Sequence, residues 1–409
     1  MDKKAKVIVV APRFPAINQP WIDTYLEQLL KNNFDVTIYS ENYSNDIYGE
    51  KVDTLNLTDR VVRFPFERKN LITPAIVSLI RPWRIMKSVE ISKAISSDTK
   101  SFIKNIFYAL KFFSKIESFK DASIIHSHSE GLTYKFLILS KILDIPIIQT
   151  FHGLPPMGVK QLNEKKREIL YKNVSRVLVN TSFSSEQVQQ LGCDKKIITI
   201  IPQGLPLSEF PFSPMPKPSP EGGLNVITVG RFHRDKGQGY AIGALKRLMS
   251  SGVNIKWTFI GVGPDIDRLK RLAMRLGVSS RTSFISGLSS KKLVEKYSSN
   301  HVLVLPSISS KEGHVETQGV VIQEAQATGC LAVVSRTGGI PECVNEGDDA
   351  ILFRQRSSRD IAESICRLMT EEFPWEEFQN KARLNVEENF SADVIGERMA
   401  TIIMKLIEA

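Results

Sequence analysis

Cysteine is scarce in this sequence, and the cysteines that occur have no useful spacing. The 409 residues include four, Cys193, Cys330, Cys343 and Cys366, and no two of them form a CxxC motif. Zinc sites and disulfide frameworks depend on closely spaced cysteines or on cysteine–histidine pairs. The sequence therefore predicts neither kind of site, and a reducing, cytoplasmic compartment is expected.

Long apolar runs are also missing. The first such run, Val7–Ala11, is shorter than the core of a signal peptide and stops at a proline and an arginine. The longest apolar region, Phe136–Phe151, is interrupted by Lys141 and Asp144 and is too short to cross a bilayer. Neither segment is expected to serve as an export signal or a membrane anchor.

Acidic residues are outnumbered, and the imbalance is local. The chain has 54 Lys and Arg against 44 Asp and Glu, a net charge of +10. Residues 1–212 alone hold 29 basic and 21 acidic residues, so most of the surplus lies in the N-terminal half. Such an excess indicates an anionic partner, either a membrane surface or nucleic acid.

Short runs rich in Val and Ile alternate with helical patterns along the whole chain, which predicts parallel sheets with crossover helices. Predicted strands before residue 205 are Val7–Pro12, Val36–Ser40, Val61–Phe66, Ile124–His128, Ile145–His152, Val177–Thr181 and Ile197–Pro202. Predicted strands after residue 223 are Leu224–Gly230, Ile255–Gly263, Arg281–Gly287, His301–Ser307, Leu331–Ser335 and Ala350–Phe353. The segment between them is rich in Pro, Ser and Gly and can continue neither a sheet nor a helix.

The predicted fold class is α/β, with two Rossmann-like domains that face a central cleft. The predicted boundaries are an N-terminal domain at 1–206, a linker at 207–223, a C-terminal domain at 224–390 and a final helix at 391–409. That final segment has Ile395, Met399 and Ile403 at helical spacing, which indicates an amphipathic helix.

Glu316 and Glu324 stand eight residues apart, across a glycine. In one helix they would lie about 80° apart around the axis and would not share a face. We therefore expect Glu316 in the loop after a strand, Gly319 at the start of a helix, and Glu324 two turns into it. At that edge of a parallel sheet, carboxylates can accept hydrogen bonds from sugar hydroxyls. The alternative is that Glu316 caps the helix and Glu324 is solvated.

A basic loop follows the first strand of the second predicted domain. Arg231 and Lys236 lie there between two glycines, and they suit a diphosphate because Arg binds bidentately while Lys acts as a point charge. The alternative is a solvated basic turn. Asp265 and Asp267 imitate a DxD metal motif, but they begin a predicted helix, where acidic residues are favoured. No metal site is predicted.

Three histidines end two predicted strands of the first domain. His126 and His128 end one strand, and His152 ends another immediately before a glycine. His152 is the better functional candidate of the three. His128 is predicted to be a buried histidine with satisfied hydrogen bonds.

Residues 101–119 form a basic amphipathic pattern. Lys104, Lys111 and Lys115 fall within about 40° of one another on a helical wheel, opposite Ile, Leu and Phe. Such a helix can lie on an anionic membrane. The alternative is an ordinary domain helix with its lysines in water.

These motifs together resemble the retaining glycosyltransferases of family 4, which have the GT-B fold. The resemblance rests on five segments: the E-x7-E pair Glu316–Glu324, the basic loop Gly230–Gly237, Gly261–Pro264, Arg336–Glu342 and Ile201–Gly204. The sequence around the two glutamates is most similar to that of bacterial enzymes that build exopolysaccharide or other surface glycans.

The resemblance implies a role for each matching residue, and it implies that the final helix packs back on the N-terminal domain. Residues implied in the chemistry are Glu316, Arg231, Lys236 and His152. Residues implied in donor binding are Glu324, Gln318, Gly319, Val320, Gly287, Leu288 and Gly339. The lysines Lys104, Lys111 and Lys115 are placed on the membrane and acceptor side.

The implied reaction moves a sugar from a nucleoside-diphosphate-sugar to a glycan or polyprenol-linked acceptor, with retention and without a metal or other cofactor. A cytoplasmic enzyme, peripheral on the inner face of the membrane and without a nucleic-acid partner, is expected. Alternatives are a nucleotide-sugar epimerase of the same fold and a nonenzymatic sugar-nucleotide-binding protein. An NAD dehydrogenase is disfavoured because no GxGxxG follows the first strand.

Overall fold

The computed structural model describes residues 4–15, 20–42, 50–63, 82–154, 161–219, 222–310 and 315–409. The chain forms two compact units. The first consists of Met1–His152, Val159–Ile201 and Ile395–Ala409, and the second of Gly153–Gly158 and Pro202–Val394.

The first unit is built on a parallel sheet of seven strands. They are β1 (Lys6–Arg13), β2 (Asp35–Asn42), β3 (Val61–Arg63), β4 (Ile124–Ser127), β5 (Ile147–Phe151), β6 (Arg176–Val179) and β7 (Ile198–Ile200). Their spatial order is β3-β2-β1-β4-β5-β6-β7, and every neighbouring pair is parallel. The inner strands are buried on both faces, as expected when helices cover both sides of a parallel sheet.

The described helices between these strands are α1 (Pro20–Lys31), α2 (Glu50–Thr54), α3 (Pro82–Ala94), α4 (Thr99–Ser114), α5 (Glu130–Leu143), α6 (Glu164–Asn173) and α7 (Ser182–Gln190). Several begin at side-chain caps. Asp98, Asn163 and Thr181 each accept a hydrogen bond from a backbone N–H in the first turn of the helix that follows.

The second unit is built on a parallel sheet of six strands. They are β8 (Leu224–Val229), β9 (Ile255–Ile260), β10 (Thr282–Ile285), β11 (Val302–Leu305), β12 (Leu331–Ser335) and β13 (Ala350–Phe353). Their order is β10-β9-β8-β11-β12-β13. The order reverses direction between β8 and β11, and this is the switch point where open α/β sheets bind ligands.

The described helices of this unit are α8 (Gln238–Ser250), α9 (Ile266–Arg275), α10 (Ser290–Ser298), α11 (Val320–Thr328), α12 (Ser358–Leu368) and α13 (Trp375–Asn389). The last helix of the chain, α14, spans Ala392–Glu408 and runs from the second unit into the first.

The predicted fold class is confirmed. All thirteen predicted strands occur. Strands β1 and β2 are longer than predicted, β12 and β13 have the predicted bounds, and eight others are one to three residues shorter, because polar and glycine residues at their ends leave the sheet. Residues 64–66 of the third predicted strand lie outside the described residues.

The final helix packs within the first unit. Ile395, Met399 and Ile403 are buried in one apolar cluster with Val7 and Val9 of β1. The boundaries at residues 206, 223 and 390 stay predictions. Among the described residues, no helix combines the length and apolar character needed to span a bilayer.

Candidate active site

The loop after β8 holds three polar side chains in contact. Asp235 is almost fully buried, and its Oδ1 accepts a hydrogen bond from Nδ1 of His233 at 2.6 Å. Its Oδ2 lies 3.6 Å from Nη2 of Arg231, whose side chain is half exposed. The carboxylate therefore steadies two side chains that reach toward solvent at the switch point of the sheet.

Lys236 ends the same loop and pairs with Glu316. Its Nζ donates to Oε2 of Glu316, and the hydroxyl of Ser307 donates to the same oxygen at 3.2 Å. Both charged side chains are mostly shielded from solvent, so their attraction is screened less than that of a surface pair. The structure thus brings together Lys236 and Glu316, which are 80 residues apart.

Two glycines permit close backbone contacts around this pair. Gly237 has φ +64°, and a Cβ there would lie 1.8 Å from the carbonyl oxygen of Pro306. Gly338 has φ +55°, and its Cβ would lie 2.1 Å from the carbonyl oxygen of Glu316. No L side chain fits at either position, so both glycines hold neighbouring loops in place.

The Gly338-Gly339 turn contacts the segment that carries Glu316. The close approach that these glycines allow is one within the protein, to the backbone of Glu316, because the N–H of Gly339 donates to the Glu316 carbonyl at 2.9 Å. The turn holds the loop that carries Glu316 in place. A ligand contact by Gly339 remains a prediction.

Helix α11 begins where predicted. Gly319 is its N-cap with φ +81°, and Val320 is its first residue. The N–H groups of a first helical turn have no partner within the helix and favour anions. The buried side chain of Gln318 forms two hydrogen bonds with the backbone of Gln203, at 2.8 and 3.1 Å, which ties this helix start to the segment after Pro202.

Glu324 lies in α11 and contacts α10. Its Oε2 accepts a hydrogen bond from the hydroxyl of the fully buried Tyr297 at 2.7 Å. Burial raises the pKa of Glu324, and the Tyr297 hydrogen bond opposes that rise. No described residue donates to Oε1, so that oxygen can accept a hydrogen bond from a ligand hydroxyl. Glu324 is therefore partly buried and bonded to Tyr297, and is not a freely solvated helix residue.

Gly287 and Leu288 follow β10. Gly287 is exposed with φ +65°, and a Cβ there would meet open space within 4 Å. Leu288 packs against the core that contains Leu305 and Ile322. Their predicted contact with a nucleotide base remains a prediction.

In the first unit, three histidines from the ends of β4 and β5 meet two aromatic residues of α1. We call His126, His128, His152, Trp21 and Tyr25 the histidine cluster. The ring centroids of His126 and His128 are 4.4 Å apart, and those of His128 and His152 are 5.5 Å apart and stacked. The Trp21 ring lies 4.4 Å from that of His152 and 5.0 Å from that of His128.

Hydrogen bonds connect the cluster. The hydroxyl of Tyr25 lies 2.5 Å from Nδ1 of His126, and Nε2 of His126 lies 2.7 Å from the hydroxyl of Thr150. Nδ1 of His128 lies 3.3 Å from Nε2 of His152. His128 was predicted to have satisfied hydrogen bonds, and this is wrong: its Nε2 is buried with no partner among the described residues.

The cluster favours uncharged imidazoles. Burial, reinforced by the charge of His152, lowers the pKa of His126 to about 3, and burial lowers that of His152 to about 4. Burial and the two neighbouring histidines hold the pKa of His128 well below its usual value. All three are therefore neutral at physiological pH.

The predicted lysine face is wrong at one of its three positions. Helix α4 exposes Lys104, and Lys115 lies exposed at its end, but Lys111 is only 4% exposed and belongs to the buried side of the helix. Apolar Ile103 and Phe107 are exposed on the same helix while Lys111 is covered, so the buried side of α4 does not follow its apolar residues. Lys111 therefore does not face solvent.

The DxD-like pair stands at the start of a helix, as predicted. Asp265 is the N-cap residue of α9, but its side chain forms no capping hydrogen bond and instead accepts two from Arg268, at 2.7 and 3.2 Å. Asp267 is exposed in the first turn. Within the described ranges, no three His, Cys, Asp or Glu side chains are arranged to hold a metal ion.

Sequence reasoning missed the partners of the predicted residues. His233 and Asp235 lie in the loop that was singled out, and their i, i+2 spacing beside two basic residues was an available signal. No sequence signal pointed to Ser307 or Tyr297, because each contacts its glutamate from a different segment of the chain. Tyr25 and Trp21 likewise come to the histidines from a separate helix.

Two Rossmann-like units with parallel sheets, the second with a basic loop and paired glutamates at its switch point, define the GT-B class of glycosyltransferases. The Anabaena protein HepE, solved in complex with UDP, matches this chain with a TM-score of 0.72 at 15% identity. The match covers 98% of this chain and 100% of that chain. The fold is therefore that of GT-B enzymes.

The family follows from the sequence comparisons. The description "Glycosyltransferase Family 4" matches residues 21–209, and "Glycosyl transferases group 1" matches residues 211–388. The chain belongs to the glycosyltransferases that combine these two domains. WcaL of Escherichia coli K12, named for colanic acid biosynthesis, is 26% identical over 291 residues, covering 70% of this chain and 71% of the relative. The amylovoran biosynthesis glycosyltransferase AmsK of Erwinia amylovora is 24% identical, covering 70% of each.

Proposed function

We propose that this glycosyltransferase takes its sugar from a nucleoside-diphosphate-sugar bound at the switch point of the second unit. The observation that carries the proposal is the meeting of Lys236 and Glu316 at the ends of the adjacent strands β8 and β11. Arg231 and the start of α11 lie on the same loops. This arrangement offers positive charge to phosphates and carboxylate oxygens to hydroxyls.

In the proposed complex each group has a separate partner. Arg231 and Lys236 bind the diphosphate together with the backbone N–H groups from Gln318 to Val320, which lead into α11. Glu324 accepts from the ribose hydroxyls through Oε1. Glu316 exchanges its contact with Lys236 for the hydroxyls of the transferred sugar.

We propose that transfer proceeds with retention and without a metal. The bond between the anomeric carbon and the phosphate oxygen breaks, and its electron pair stays on the diphosphate. The acceptor oxygen bonds to the anomeric carbon on the face that the leaving group vacates. The acceptor proton passes to the departing phosphate oxygen. Arg231, Lys236 and the helix start stabilise the growing negative charge.

The proposed donor is a uridine-diphosphate sugar, and the proposed acceptor is a growing glycan or a polyprenol-linked glycan. HepE has been solved with UDP-glucose, which supports the first choice. The names of WcaL and AmsK, both from polysaccharide biosynthesis, support the second.

Thermal stabilisation by a panel of nucleoside-diphosphate-sugars tests the donor. A ligand at 100 times its dissociation constant adds roughly 2.7 kcal/mol of stability. We expect UDP and one UDP-sugar to raise Tm, and a variant with Glu324→Ala to lose that rise. Stabilisation by no nucleotide, or equally by the Glu324→Ala variant, would contradict the proposed site. Analysis of the anomeric configuration of the product by NMR then tests retention.

We also propose that the first unit docks on an anionic membrane through α3 and α4. These two helices pack together and expose Trp83, Met86, Ile103 and Phe107. Exposed lysines accompany them at Lys93, Lys100, Lys104 and Lys115. Aromatic and aliphatic side chains beside lysines suit the headgroup region of anionic lipid. A peripheral position on the inner face of the cytoplasmic membrane follows from this proposal.

Liposome sedimentation separates the two contributions. Lys104→Glu with Lys115→Glu should weaken binding to anionic vesicles by about 1 kcal/mol per position, mostly at low salt. Met86→Ser with Ile103→Ser should weaken it at every salt concentration. The control carries Lys246→Glu and Lys270→Glu, which are exposed in the second unit. Equal binding by all variants would contradict docking through this surface.

A further inference from the structure

In the histidine cluster, the contact between His128 and His152 contains a single hydrogen whose position can be worked out. Nδ1 of His128 and Nε2 of His152 lie 3.3 Å apart, and both rings are neutral. A neutral imidazole carries one N–H and one bare nitrogen. One of the two facing nitrogens must therefore carry the hydrogen, while the other accepts it.

The surroundings of Nε2 of His128 decide which of the two histidines donates. If His152 donated from Nε2, the proton of His128 would sit on its own Nε2, which is buried without a partner among the described residues. If His128 donates from Nδ1, its Nε2 is a bare acceptor. Buried N–H groups without a partner are rarer than under-satisfied acceptors. The second arrangement is therefore favoured.

We infer that His128 is a positioning residue that donates from Nδ1 to Nε2 of His152 and thereby confines the proton of His152 to Nδ1. The stacking of the two rings, at an interplanar angle of 22°, and the contacts of Trp21 with both hold this orientation. In a neutral histidine, the hydrogen bond made by one ring nitrogen decides which of its two nitrogens carries the proton.

If the chain transfers a sugar as proposed, the tautomer of His152 limits the part that this residue can take in the reaction. A His152 protonated at Nδ1 can act there only as a hydrogen-bond donor. Its only bare nitrogen is already engaged with His128. His152 is thus unsuited to remove a proton from the acceptor, in agreement with a transfer in which the leaving phosphate takes it.

Nitrogen NMR tests the tautomer without any turnover. The whole protein, labelled with ¹⁵N in its six histidines, is examined near pH 7.5, and the His152 signals are assigned by their loss in His152→Gln. We expect a protonated Nδ1 and a bare Nε2 on His152. His128→Asn keeps a donor near the position of Nδ1, so His152 should keep its protonated Nδ1. In His128→Leu the donor is absent, so the proton of His152 should no longer be confined to Nδ1. A protonated Nε2 in the unaltered protein, or no change in His128→Leu, would overturn the inference.

Turnover provides the second readout. By analogy with outer partners of ligating histidines, His128→Leu should lower kcat roughly 10- to 100-fold. The KM for the donor should change little, and His128→Asn should recover most of the loss. A loss of the same size in both variants would show a merely structural role. Should the unaltered protein turn over no donor at all, the proposed function fails, while the NMR result still decides the tautomer.

Discussion

Two polar sites, one in each unit, keep their shielded side chains in opposite ways. In the second unit, charges are kept and paired: Lys236 contacts Glu316, and Asp235 contacts His233 and Arg231. In the first, the histidine cluster stays uncharged, since burial removes protons from its rings. A paired site can exchange its internal partners for a charged ligand. A neutral site instead offers hydrogen bonds of fixed direction.

The first prediction tests whether the paired charges serve a ligand. Arg231→Ala and Lys236→Ala should each slow turnover by roughly 10²-fold or more, as when one stabiliser of transition-state charge is removed. Arg234→Ala is the matched control, because Arg234 is an exposed cation in the same loop. Steady-state kinetics with the donor found by the screen provides the measurement. Full turnover by either variant would move the phosphate site elsewhere.

The second prediction concerns Glu324. Glu324→Ala removes a charged acceptor and should weaken binding of the nucleoside diphosphate by about 1.5–3 kcal/mol. Titration calorimetry measures the loss. Glu295→Gln, in the exposed face of α10, is the control and should bind normally. Unchanged affinity in Glu324→Ala would remove the ribose contact from the proposal.

The third prediction compares the pH dependence of the two units. The pKa of His126 falls to about 3 in the folded chain, so the unfolded chain binds more protons between about pH 3 and 6.5. Its contribution to stability is present above pH 6.5 and is lost as pH falls, by up to about 1.4 kcal/mol per pH unit. Asp349 acts in the opposite sense: burial raises its pKa to about 6, so stability is lost as pH rises from about 4 to 6.

Single substitutions measure how much each of these two residues contributes to the pH dependence of the free energy of unfolding. We expect the destabilisation caused by His126→Gln to shrink as pH falls from 7.5 to 4.5. The free energy of unfolding of Asp349→Asn should instead rise relative to that of the unaltered protein as pH rises from 4 to 6. Urea unfolding at several pH values measures both differences. Asp267→Asn is the exposed control. Parallel pH profiles for His126→Gln and the unaltered protein would show that folding does not lower the pKa of His126.

The smallest expected effect is that of chelation. If Arg231, Lys236 and the start of α11 neutralise the leaving diphosphate, EDTA should leave turnover within about twofold of its starting value. Loss of turnover with rescue by Mn²⁺ or Mg²⁺ would instead return Asp265 and Asp267 to consideration as ligands. The same assay on the Asp267→Asn variant would then decide between the two.

Sequence reasoning succeeded where the chemistry is local. Arg231 and Lys236 lie within six residues, and Gly319 separates the two glutamates, so spacing alone indicated a loop, a helix start and two carboxylates. It failed for Lys111 and for Nε2 of His128. Burial on a helix depends on which elements cover it, and satisfaction of a nitrogen depends on atoms from other segments.

The order of apolar runs and breakers by itself determined that the chain makes parallel sheets with crossover helices, because strand and helix periods are properties of short segments. It also determined which residue types stand at the ends of strands. Only the tertiary structure decided that Lys236 meets Glu316, that Tyr297 meets Glu324, and that His128 faces His152. These contacts join residues 24 to 80 positions apart, and only the packing of the sheets brings them within hydrogen-bond reach.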